Sequence, residues 1–187
     1  MNYNEWIQKG FAVKTNYNGL IDRIITDVTV ICRPELCADG LQHTKKIRAL
    51  WDTGASTSSI DSQLASELKL IPIGKCIVAH AHGQSIVNRY TFDFALHNAF
   101  VLTLSTVSEG IFTGGEFQML IGMDVISQGD FFFGQYEASG RPCSYFTFSV
   151  PSIDRKIDFV EELNSKRKSS SPSYVRQQLP STKKKRK

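Results

Sequence analysis

The sequence has no apolar run near the roughly 20 residues that a spanning helix requires. Its longest runs, such as Ala99 to Leu102 and Phe131 to Phe133, stop far short of that. The start, Met1-Asn2-Tyr3-Asn4-Glu5-Trp6, has neither the basic opening nor the apolar stretch of a secretory leader, so a cytoplasmic chain is expected. Cysteine is sparse. Four residues, Cys32, Cys37, Cys76 and Cys143, in a chain of 187 with no export signal predict free, mostly buried thiols rather than a disulfide framework. No internal repeat is visible, which excludes solenoids and propellers.

Acidic residues are absent from Ser165 to Lys187, which holds nine of the 22 lysines and arginines. The formal charge of +4 therefore belongs to this segment, and the remainder carries 13 basic against 18 acidic residues, a net of −5. That balance excludes a body-wide nucleic-acid surface. The segment is rich in serine, proline and lysine with little to bury, and reads as a disordered tail. Its run Lys183 to Lys187 has no interleaved aromatic beyond Tyr174 and reads first as solvated. Nucleic acid bound through it would be held in a salt-sensitive, sequence-blind way.

What the body does contain is strand signal. Ile24 to Ile31 is β-branched and partly alternating, and Arg89 to Leu96 alternates polar and apolar, as half-buried strands do. Further strands are expected over 46–51, 76–81, 85–88, 100–107 and 144–150. Helical signals are confined to Ser62–Leu70, with Leu64 and Leu68 one turn apart, to Gly122–Gln128, and to a short stretch within 154–164. Strands joined by glycine-bearing turns, with few short helices, predict an all-β, mainly antiparallel, closed or sandwiched architecture.

The chemistry concentrates in Leu50-Trp51-Asp52-Thr53-Gly54-Ala55-Ser56, where an apolar strand runs into an acid followed at once by Thr-Gly. A carboxylate at a strand end faces a cleft if the chain turns there, and glycine permits the turn. Alone, Asp-Thr-Gly is an ordinary turn. A second apolar strand, Met119-Leu120-Ile121, ends in Gly122-Met123-Asp124. The two motifs in this order and spacing resemble the retropepsin-like aspartic proteases, over roughly residues 22 to 150.

The resemblance implies a single closed acid-protease β-barrel. It implies Asp52 as the catalytic acid, Thr53 as the hydroxyl bracing the turn against its symmetry mate, and Gly54 as the close-approach residue. Gly122 and Asp124 match structural positions. A glycine-tipped hairpin closes the cleft in family members, and Ala79-His80-Ala81-His82-Gly83-Gln84-Ser85-Ile86 matches it best. Ala55, Ser56, His82, Gly83 and Gln84 are then candidate substrate contacts. Family enzymes usually carry another acid where Ser56 stands and an arginine where Met123 stands.

The implied function is an aspartic endopeptidase cutting extended polypeptide, with no metal or cofactor. Since the chain has one Asp-Thr-Gly, the site requires a homodimer. The alternative is a silent peptide-binding or dimerisation module on the same fold. Cys76, His80 and His82 share a strand face by parity, but the spacing matches no zinc signature. The expected organisation is an N-terminal extension over 1–21, the protease domain over 22–150, a short helix within 151–164 and the tail over 165–187.

Overall fold

The computed structural model describes residues 10–80, 83–96, 100–112, 114–153 and 157–169. The chain divides into two units, Met1–Ile153 and Asp154–Lys187. Ten strands dominate the first: β1 (Phe11–Tyr17), β2 (Ile24–Cys32), β3 (His43–Trp51), β4 (Ser59–Asp61), β5 (Gly74–His80), β6 (Gly83–Leu96), β7 (Phe100–Gly110), β8 (Met119–Ile121), β9 (Asp130–Ala138) and β10 (Arg141–Val150). Two helices, α1 (Ser62–Glu67) and α2 (Met123–Ile126), interrupt them. In the second unit, α3 (Phe159–Ser169) runs five residues into the stretch read as tail from Ser165. Asp158 starts this helix by accepting from the N–H groups of Val160 and Glu161.

The fold is mainly β, as expected, but its strands form two sheets. One has seven strands in the order β2-β3-β8-β4-β7-β6-β5, with an added β2–β6 pairing; the other has three, β1-β10-β9. The second sheet was hidden in the sequence, because β1 lies in the stretch read as an extension and the Phe131-Phe132-Phe133 run of β9 does not alternate. The expected strands 85–88 and 89–96 are one continuous β6, with a register shift between Tyr90 and Phe92.

Alternation sets the core. Ile47, Ala49 and Trp51 of β3 point inward, as do Phe92 and Phe94 of β6 and Phe146 and Phe148 of β10, all buried. Each such large apolar side chain contributes about 1.5–3 kcal/mol on burial. Trp51 joins the two sheets, its ring 4.8 Å from that of Phe146, 4.9 Å from Phe148 and 6.0 Å from Phe131. Its indole N–H donates to the buried Thr26 hydroxyl at 2.9 Å. The residue before Asp52 is thus among the most firmly held in the molecule. Cys32, Cys37 and Cys143 are buried free thiols, and Cys76 is half-buried. Burial pushes the Cys32 thiol up to about 12. No described helix is long and apolar enough to cross a membrane.

Candidate active site

The parallel pairing of β3 with β8 brings the two motifs together. Trp51 lies opposite Ile121, so Asp52 and Gly122 leave the sheet side by side, and the Asp52 N–H donates to the Ile121 carbonyl at 2.9 Å. In sheet order β8 stands between β3 and β4, so the loop from Asp52 to Ser58 must arch over the end of β8 to reach β4. The arch rests directly on Gly122. A Cβ there would lie 2.7 Å from the Thr57 carbonyl carbon, 2.8 Å from its oxygen and 2.9 Å from the Ala55 oxygen. With φ at −96° the backbone is ordinary, so close approach alone requires the glycine.

Hydrogen bonds lock the arch to the second motif. The N–H groups of Met123 and Asp124 donate to the carbonyls of Ala55 (2.8 Å) and Ser56 (3.2 Å). The Gly122 N–H donates to the Ser58 hydroxyl at 3.1 Å, which itself donates to Asp124 Oδ1 at 2.8 Å. Asp124 also accepts from the Ser58 N–H (2.9 Å, Oδ2) and from the Val125 N–H (3.1 Å, Oδ1). Ser58 is fully buried, and nothing local in the sequence marks it, because its partner lies 66 residues away.

Within the arch, the Asp52 carboxylate accepts the Gly54 N–H at 2.8 Å, and the Ala55 N–H returns to the Asp52 carbonyl at 3.2 Å. This turn orients the carboxylate. Asp52 is half-buried, while Thr53 and Gly54 are exposed. A cavity of about 460 Å³ adjoins them, lined by Asp22, Arg23, Ile24, Leu50, Trp51, Asp52, Thr53, Phe131 and Phe133. Arg23 is engaged, 2.7 Å from Glu116 and 3.6 Å from Asp22. Sequence reading missed the contribution of β9 to this wall, since Phe131 and Phe133 lie about 80 residues from the motif and reach it only through sheet packing.

Residues 38–128 match the family model described as "gag-polyprotein putative aspartyl protease", a span holding both motifs. Over that span the chain resembles the retropepsin-like aspartic proteases. Two solved structures are similar to it. A retropepsin-like aspartic protease from Rickettsia conorii shares 11% identity, with 76% of this chain and 96% of that one covered at a TM-score of 0.42. The simian foamy virus (mac) protease shares 13%, covering 56% and 92% at a TM-score of 0.37. No curated protein matches the sequence.

Of the retropepsin-like site residues read from sequence, Asp52 to Ser56 and Gly122 to Asp124 form one connected cluster. Gly83 and Gln84 stand apart on the β5–β6 hairpin, exposed and opposite His80 and Ala79. His82 lies outside the described residues, as does Ala81. Among the described residues, no group of three or more His, Cys, Asp or Glu side chains is placed to hold a metal ion.

Proposed function

We propose that this chain is an aspartic endopeptidase that hydrolyses peptide bonds in extended polypeptides as a homodimer, with Asp52 of each copy forming the catalytic pair. The observation that carries the reading is the Asp52 carboxylate. It stands on an exposed arch, aimed by the Gly54 N–H and clamped from below by Gly122, Met123 and Asp124. A carboxylate that served only a turn would not need a glycine-tight support from a second strand.

Two such carboxylates about 3 Å apart cannot both ionise, so they share one proton. The ionised member takes a proton from water as it attacks the scissile carbonyl, and the protonated one donates to the carbonyl oxygen. The two apparent pKa values belong to the pair. Gly54 leaves room for substrate backbone, and Thr53, exposed beside Asp52, is available to brace the partner's arch.

The β5–β6 hairpin is proposed as the flap, with His82, Gly83 and Gln84 at or near its tip. Its exposed Ile77 and Ile86 face each other across the strands, an apolar pair suited to covering peptide side chains. A peptide strand laid beneath it would bind by main-chain pairing, with pockets setting preference. The additional β2–β6 pairing supports the reading that the seven-stranded sheet curls into a closed barrel.

The test is cleavage of an unstructured protein from pH 3 to 8, wild type beside Asp52→Asn, with mass measured in the same buffers. The expected outcome is cleavage abolished in a variant that keeps its dimer. Undiminished cleavage by Asp52→Asn refutes the assignment. A wild-type dimer that binds peptide without turnover favours the silent binding module.

A further inference from the structure

Two of the four free cysteines share one place in the fold. Cys32 closes β2 and Cys37 follows in the short connection to β3; both side chains are buried, Cys32 completely and Cys37 to 3% exposure. The connection is tightly built. A single 3-10 turn, Pro34–Leu36, brings the chain back, with the N–H groups of Leu36 and Cys37 donating to the carbonyls of Arg33 (2.9 Å) and Pro34 (3.2 Å). The Ala38 N–H donates to the Lys69 carbonyl at 2.8 Å and the Ile71 N–H to the Leu36 carbonyl at 2.9 Å, so the chain is pinned on both sides of Cys37. The Cys37 thiol donates to the Arg33 carbonyl at 3.4 Å, which sets its sulfur beside the residue next to Cys32. That sulfur in turn accepts a hydrogen bond from the Cys32 thiol.

A lone buried cysteine is a small apolar filler. Two sulfurs in hydrogen-bond contact on a pinned loop are a dithiol already close to bonding geometry. We propose that Cys32 and Cys37 form a redox modification site, closed to an intrachain disulfide by a low-molecular-weight disulfide such as oxidised glutathione. One cysteine thiolate attacks the small disulfide and expels one thiol; the other cysteine attacks the resulting mixed disulfide and expels the second. The two cysteines lose two electrons and two protons, and the small disulfide leaves as two thiols. No acceptor is orphaned when Cys37 gives up its proton, because the Arg33 carbonyl still receives the Leu36 N–H. Burial raises the pKa of both thiols, so the closed loop reacts slowly. Exchange passes through local opening of the connection, whose flanking residues Arg33 to Glu35 and Ala38 to Leu41 are exposed. The dithiol stands clear of the proposed protease site: β3 runs from His43, opposite Cys32, to Trp51, which precedes Asp52, and these ends lie roughly 25 Å apart.

The test incubates the folded full chain carrying Asp52→Asn, so that self-cleavage cannot interfere, with oxidised glutathione, then unfolds, alkylates and digests it with trypsin. Trypsin leaves the Arg33–Pro34 bond intact, so one peptide, Ile24 to Lys45, carries both cysteines. That peptide is expected unalkylated and lighter by two hydrogens than its reduced form, and dithiothreitol should restore the two thiols. In urea the oxidised chain is expected to unfold with an equilibrium constant lowered about tenfold or more relative to the reduced chain. That gain should be absent in Cys32→Ala and in Cys37→Ala, each compared with itself in the two redox states, so a variant of altered stability still answers. Both cysteines recovered as free thiols or as separate glutathione adducts, or a disulfide that lowers the urea midpoint, would overturn the site. None of these readouts needs turnover, so they stand whichever way the protease test falls.

Discussion

Replacing Gly122 by alanine tests whether the arch carrying Asp52 depends on its support. The added methyl would sit 2.7 Å from the Thr57 carbonyl carbon, where an ordinary carbon contact is about 3.5 Å, so the arch must rise by about 0.8 Å. The obstruction is backbone, which cannot swing aside as a side chain would. Three hydrogen bonds cross this junction, from the N–H groups of Gly122, Met123 and Asp124 to Ser58, Ala55 and Ser56. At about 1 kcal/mol each, together with an overpacking cost of about 1–3 kcal/mol, the expected loss is about 4–6 kcal/mol of stability. A displacement near 1 Å at the reacting group costs about 100-fold in rate. Urea unfolding and peptide cleavage, measured on one preparation, read both. A variant within about 1 kcal/mol of wild type and within threefold in turnover would refute the claim that Gly122 supports the arch carrying Asp52.

Two further outcomes follow from the same geometry. Ser58→Ala removes the hydroxyl that links the Gly122 N–H to Asp124, leaving a buried donor unmet; a loss of about 2–4 kcal/mol in urea unfolding is expected, and Ser58→Thr should recover part of it. Asp130 is held below the ordinary aspartate value of 3.8, chiefly by the Ser152 hydroxyl and then by the Ile153 N–H. A depressed carboxylate stabilises the fold above its unfolded pKa, and that contribution is lost as pH falls through its folded value. Midpoints of wild type and Asp130→Asn should therefore differ near pH 6 and converge toward pH 2; parallel curves across that range would refute the assignment.

Much of the site could be read from the chain alone, because its chemistry is local. Asp52-Thr53-Gly54 is contiguous, the strand before it alternates, and Gly122 closes another short apolar strand. The helix read over 62–70 forms at 62–67, started by Asp61, whose carboxylate accepts the Gln63 N–H at 3.0 Å. Thr26, Ser58, Phe131 and Phe133 carried no such signal. Each acquires its role from a partner distant in sequence: the indole of Trp51, the carboxylate of Asp124, or the wall beside Asp52.

The sequence by itself determined the class of fold, the Asp-Thr-Gly turn and its single occurrence. Strand alternation and glycine-bearing turns are short-range properties, and one Asp-Thr-Gly can be counted. Only the tertiary structure decided why Gly122 must be glycine, since that requirement is created by β8 entering the sheet between β3 and β4 beneath the arch. It also decided that β1 pairs with β10 in the folded body, and that Phe131 and Phe133 of β9 wall the cavity beside Asp52. Pairing between distant strands is set by how the whole apolar surface is buried at once, and no window of sequence contains that sum.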